Sequence, residues 1–135
     1  MTNLSLLESA DFFSLNARGL SNPERLAEVC NITKNQSKSN KIIIALQETK
    51  LMKVKEEHNR IIKKFGFSHV MVPANGNAGG LMILYPKDCK MTPMMKNENL
   101  LAIVLNLNGC ENSIIANVYI NPKDHKIVNF RKSFE

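Results

Sequence analysis

The chain is poor in the residues that build redox, zinc or membrane sites. Only three cysteines occur in 135 residues, Cys30, Cys89 and Cys110, and no two form a CxxC pair. His58, His69 and His125 stand far from them in sequence, so neighbouring ligands for a zinc ion are missing. Free thiols in a reducing compartment are the expectation. The longest apolar runs, such as Ile42 to Leu46, are far too short to span a bilayer. The N-terminus carries Glu8 and Asp11 and no basic segment leading into a long apolar core, so no secretory signal is readable. Low-complexity tracts and internal repeats are also lacking. No Ser-His-Asp or Cys-His set has family-like spacing.

What is present fits an ordinary globular domain. Hydrophobic residues make up 44% and charged residues 22% of the chain, close to the globular average, which argues against wholesale disorder. A domain of 135 residues buries roughly two thirds of its unfolded surface and needs no disulfide or metal staple. Eighteen Lys and Arg against twelve Asp and Glu give a net charge of +6. That balance favours polyanions, either nucleic acid or an anionic surface. The basic residues are spread along the chain, so solubility charge accounts for them equally well.

Residues 1–10 read as a loose lead-in, and 11–135 as one domain. Asp11 to Asn16 predicts a strand, ending at a turn that Gly19 permits. Ser21-Asn22-Pro23-Glu24 predicts a helix start, with Ser21 as cap, Pro23 in the first turn and Glu24 completing a capping box. Ile42 to Leu46 is a continuous, largely β-branched run suited to a strand buried on both faces. A second helix follows, with Val54, His58, Ile61, Ile62 and Phe65 on one stripe and Gly66 at its end. Strands dominate thereafter, with a hairpin expected around Asn108-Gly109 and a helix beginning near Asn129. Strand, helix, strand, helix and a meander of about five strands predict an α/β (α+β) fold, with one mixed sheet covered by two helices on one face.

Chemistry is expected where polar residues end buried strands. Glu48 follows directly on an apolar strand, where a rigid backbone lets one carboxylate hold a hard cation while water fills the other positions. An exposed strand-end acid is the plainer account on spacing alone. Asn16 is placed to orient a metal-bound water or a phosphate oxygen, although turn chemistry before Gly19 also explains it. Tyr119 is placed to donate its hydroxyl to a phosphate oxygen, or is simply a half-buried strand tyrosine. The glycines of Asn75 to Gly80 are a hairpin turn and not a phosphate loop, because no Gly-Lys-Ser/Thr and no helix follow.

Four segments taken in order narrow these readings. They are Ser14-Leu15-Asn16-Ala17-Arg18-Gly19-Leu20, Ile44-Ala45-Leu46-Gln47-Glu48-Thr49-Lys50-Leu51, Gly79-Gly80-Leu81-Met82-Ile83-Leu84 and Ala116-Asn117-Val118-Tyr119. Together they resemble the endonuclease/exonuclease/phosphatase superfamily. The likeness is greatest to the endonuclease domain of LINE-type retrotransposons, with the apurinic-site endonucleases as relatives. It runs from about Asp11 to Phe134.

The resemblance implies a four-layer α/β/β/α sandwich and Mg²⁺- or Mn²⁺-dependent phosphodiester hydrolysis, with DNA as substrate. It implies catalytic roles for Asn16, Glu48 and Tyr119, with Glu48 and Asn16 beside the metal. An intracellular, nuclear setting and no membrane partner go with it. Arg18 departs from relatives that carry an acid there, and Asn121-Pro122 reverses the usual order. A sandwich of this kind takes roughly 200–250 residues. The chain is therefore expected to be the first half, without the Gly-Asp-x-Asn and Ser-Asp-His segments that activate water and contact phosphate. An apolar sheet face left open to water is then expected, available to a C-terminal half or to self-association. The alternative is a catalytically dead fragment that binds nucleic acid or a protein through that face. A lipid or inositol phosphate substrate is a third reading.

Overall fold

The computed structural model describes residues 10–107 and 112–120. Seven strands and two helices follow in order: β1 (Ala10–Asn16), α1 (Pro23–Gln36), β2 (Lys41–Gln47), α2 (Glu56–Lys64), β3 (Phe67–Val72), β4 (Leu81–Pro86), β5 (Lys90–Lys96), β6 (Leu100–Asn106) and β7 (Asn112–Val118). The expected lead-in and C-terminal helix, and the turn at Asn108-Gly109, lie outside the described residues apart from Ala10, which belongs to β1.

Four strands form a mixed sheet in the order β1-β2-β4-β3. β1 and β2 run parallel, with Asn16 opposite Gln47, while β4 is antiparallel to both neighbours. The continuous apolar run of β2 explains its central place. Ile42, Ile44 and Leu46 pack towards the helices with Leu26, Cys30 and Ile62, and Ile43 packs on the opposite side. Helix α1 is capped by Asn22, whose side chain accepts the Glu24 N–H at 3.0 Å, and not by Ser21 as the sequence suggested. Pro23 at the first helical position leaves the cap to the residue before it. Helix α2 starts later than its apolar stripe, at Glu56, and Gly66 follows its end with φ +81°. Within it His58 is fully buried and bridges Leu20 O at 2.7 Å and the Lys55 N–H at 3.2 Å, so the loop after β1 is tied to the start of α2. Among the described residues no helix is long and apolar enough to cross a membrane.

The mixed sheet and its two helices agree with expectation, but β5, β6 and β7 do not extend that sheet. They form a second, antiparallel sheet in the order β5-β6-β7. Leu101, Ile103 and Leu105 of β6 pack on Ile43, Val70, Val72, Leu81 and Ile83. The inner face of the mixed sheet, expected to be open to water, is therefore covered by the chain itself over β2, β3 and β4, while Phe12 on the β1 edge, opposite Ile43 in the register, stays exposed. Leu100 to Leu105 of β6 is a continuous apolar run, and its Leu101, Ile103 and Leu105 face is buried against an apolar partner layer. Exposed apolar side chains lie on the far side of the second sheet, at Ile114 and Val118 on β7 and Met95 on β5, and also elsewhere, at Phe12 on β1, Ile32 on α1, Met52 and Met94.

Asp11 ties the helical layer to the sheet. Its carboxylate accepts hydrogen bonds from Ser37 Oγ at 2.6 Å and from the N–H groups of Lys38 at 2.9 Å and Ser39 at 3.2 Å. The Ser37 hydroxyl, then the Lys38 N–H, hold this carboxyl below its ordinary value. A lowered folded value makes the contribution to stability present above the unfolded value and lost as pH falls through the folded one. The melting-temperature deficit of Asp11→Ala is therefore expected to be full near neutrality and to shrink below about pH 4. A deficit independent of pH in thermal melts would contradict the assignment.

Candidate functional site

Parallel pairing brings the carboxyl ends of β1 and β2 to the same rim of the mixed sheet. The backbone beyond them continues the register. Ala17 N–H donates to Gln47 O at 2.7 Å, Gly19 N–H to Glu48 O at 2.8 Å and Leu20 N–H to Thr49 O at 2.8 Å. On the other side, Thr49 and Lys50 N–H groups donate to Gly80 O at 3.2 Å and Gly79 O at 2.9 Å. Gly80 is required for this closeness. A Cβ there would lie 2.3 Å from Thr49 Oγ1 and 3.2 Å from Lys50 N, and its φ is +94°. The Gly-Gly pair thus lets β4 start directly against the Glu48 loop.

Asn16, Glu48 and Tyr119 meet at this rim. Tyr119 Oη donates to Glu48 Oε1 at 2.6 Å. The Asn16 carboxamide also hydrogen-bonds the Glu48 carboxylate, while its Oδ1 accepts the Arg18 N–H at 3.0 Å. Tyr119 arrives from the second sheet and is fixed there by Asn99: Tyr119 N–H donates to Asn99 O at 2.9 Å, and Asn99 Nδ2 to Tyr119 O at 3.0 Å. A cavity of about 280 Å³ opens over Glu48 and Tyr119, with Lys50, Asn75, Glu98 and Asn99 among its walls.

Electrostatics follow from the contacts. The Tyr119 hydroxyl, then the Asn16 amide, hold the Glu48 carboxyl below its ordinary value; burial opposes them, and the Lys50 and Arg18 charges add smaller contributions that lower it. Conversely, the Glu48 carboxylate pushes the Tyr119 phenol up to about 12, because ionisation would break the bond and set two negative charges together. At neutral pH the pair is one carboxylate and one neutral donor.

The two sheets are locked together next to this pair. Asn117 is buried, and its Nδ2 donates to Leu46 O and Met82 O, each at 3.0 Å, while its Oδ1 accepts Gln47 Nε2 at 2.7 Å. Gln47, the residue before the candidate acid, thus serves position rather than chemistry. Sequence reading left out Asn99 and gave Lys50 no role; the Asn-Glu-Asn turn before β6 was the available signal for the first. Cys30 and Cys89 stay apart from the site. Cys30 is buried, with its thiol pushed up to about 11 by burial, and Cys89 is free and half-buried.

Among the described residues no three His, Cys, Asp or Glu side chains cluster to cage an ion. The donor set at the rim is one carboxylate beside a carboxamide. That fits Mg²⁺, which keeps several waters and takes one or two carboxylates when phosphate supplies further oxygens. It does not fit zinc, which takes four close N, S or O ligands.

No protein-family profile matches the sequence, and no curated protein matches it. The chain is similar in structure to an AP endonuclease from Archaeoglobus fulgidus, with a TM-score of 0.53 and 19% identity, over 91% of this chain. The chain spans 46% of that protein's length. At this level of identity the likeness concerns the fold, an endonuclease-like arrangement of two packed sheets with helices outside the first.

Proposed function

We propose that the chain carries the Asn16–Glu48–Tyr119 part of a Mg²⁺-dependent (or Mn²⁺-dependent) phosphodiester hydrolase of the retrotransposon endonuclease type, acting on DNA. The observation that carries this reading is the 2.6 Å bond from Tyr119 to Glu48 at the rim where Asn16 also stands, bringing residues from both sheets to one carboxylate. Likeness in fold to an AP endonuclease supports a nuclease-like activity. In this reading Glu48 holds Mg²⁺, with Asn16 orienting the carboxylate. The bound ion supplies positive charge that polarises a phosphoryl oxygen. Tyr119 stays neutral to high pH, so its hydroxyl is available as a donor to the developing phosphate charge. The group that activates water is assigned to none of these residues.

Plasmid nicking tests the proposal. The chain by itself is expected to show little cleavage of supercoiled DNA in Mg²⁺. Joined to the C-terminal half of an AP endonuclease it is expected to nick, and Glu48→Ala is expected to cut that rate by about 100-fold or more. Nicking by the joined protein that is indifferent to Glu48→Ala or to EDTA would remove the proposed role. DNA binding without metal dependence and without any cleavage would favour a binding fragment instead.

A further inference from the structure

Three non-glycine residues among those described have left-handed backbone: Arg18 at φ 52°, Glu48 at 53° and Lys50 at 57°. All three are charged and all three belong to the same rim. Such conformations are costly for side-chain-bearing residues and persist where the surroundings over-determine them, often at functional sites. Here the surroundings are visible. The Arg18 N–H is held by Asn16 Oδ1, Gly19 by Glu48 O, and Lys50 by Gly79 O. The Lys50 stem runs beside Gly19, where a Cβ would stand 3.5 Å from its Cδ, so the loop after β2 packs on the loop that carries Arg18.

Among the described residues neither cation makes a contact ion pair. The ion pair among the described residues, Arg60 with Glu56, is on helix α2. The Glu48 carboxylate receives its hydrogen bonds from Tyr119 and Asn16, and feels Arg18 and Lys50 only through their charge. Both cations act on the Glu48 carboxylate through their charge, and Lys50 lines a cavity whose walls also carry Glu48, Glu98 and Tyr119. A guanidinium matches the two non-bridging oxygens of a phosphodiester, and an ammonium adds a point charge.

We propose that Arg18 and Lys50 are a phosphate clamp astride Glu48 that grips the sugar-phosphate backbone of a DNA strand without needing a metal. This rests on the reading of Glu48 as the marker of a phosphodiester site, but it assigns two residues which that reading leaves without a role.

The test is fluorescence anisotropy of a labelled DNA duplex with the whole chain in EDTA, over a KCl series. Arg18→Asn and Lys50→Asn are chosen because asparagine tolerates left-handed backbone. Each is expected to lower the slope of log affinity against log salt by about 1, and the pair by about 2. Lys63→Asn with Lys87→Asn is the charge-matched control. These residues line a separate cavity with His69 and Tyr85, and Lys87 follows β4 at the end of the sheet away from Glu48. The control pair is expected to keep the wild-type slope, and Arg18→Lys to restore most of what Arg18→Asn loses. Should Arg18→Asn fail to fold, Arg18→Gly makes the same measurement on backbone free at positive φ. A wild-type slope in the Arg18/Lys50 pair, an equal fall in the control pair, or no DNA binding by the wild type would each overturn the clamp. The slope is measured in EDTA and nicking in Mg²⁺, so the two readouts are independent. A failure of Glu48 to matter in the nicking assay therefore counts against the hydrolase and not against the clamp.

Discussion

Asn117→Ala is expected to lower the melting temperature by about 10 °C, from a loss of about 3 kcal/mol. The Asn117 carboxamide is 1% exposed and makes three hydrogen bonds, to Leu46 O, Met82 O and Gln47 Nε2. Leu46 and Met82 are opposite one another in the β2–β4 register, so a single side chain of β7 spans two strands of the other sheet. Each such bond contributes about 1 kcal/mol net, but truncation also strands buried partners that lose their donors, which costs about 1–3 kcal/mol apiece when water cannot replace them. Asn117→Asp is expected to be at least as harmful, because it removes both donors and places a carboxylate against two carbonyl oxygens. Tyr119 lies two residues on, so either variant should also disturb its bond to Glu48. Thermal melts that place Asn117→Ala within about 2 °C of wild type would show that the bridge is not made.

The fold was legible where a local pattern had a single structural answer. Ile42 to Leu46 could only be a strand covered on both sides, and it is central, between β1 and β4. The cap of α1 was misread by one residue, although Pro23 held the information, since proline at the first helical position makes Asn22 the cap. The destination of β5 to β7 was not legible. The apolar run from Leu100 to Leu105 says that β6 needs burial, but no local signal says which layer will cover it. The site divides the same way. Glu48 after an apolar strand is visible in sequence, whereas its contact with Tyr119 joins positions 71 residues apart and came into view through family resemblance alone. Left-handed backbone at Arg18 and Lys50 had no sequence signal, because neither residue type prefers it.

Glu48→Gln is expected to bring the Tyr119 phenol down from about 12 towards its ordinary value of about 10. The measurement is direct, because the chain has two tyrosines and no tryptophan to obscure the phenolate band. Burial raises Tyr85 as well, but Glu48 is not among the causes, so its step should stay in place while the other moves. Two opposite windows of stability follow from the same bond. Tyr119 has a raised folded value, so its contribution is whole below the unfolded value and is lost as pH rises through about 12. Glu48 has a lowered folded value, so its contribution is whole above the unfolded value and is lost as pH falls through the folded one. The stability deficit of Glu48→Gln should accordingly be greatest between these limits and should close at both ends. Metal binding adds a further expectation. A divalent cation at the Glu48 carboxylate competes for the lone pair that Tyr119 now holds and brings positive charge near the phenol, so saturating Ca²⁺, a hard cation that stays soluble where magnesium hydroxide precipitates, should draw the Tyr119 step down in the wild type and leave Glu48→Gln unmoved. Identical spectrophotometric titrations of wild type and Glu48→Gln would mean that the phenol is not on the carboxylate. A titration that Glu48→Gln shifts but Ca²⁺ does not would keep the contact and take the metal away from Glu48.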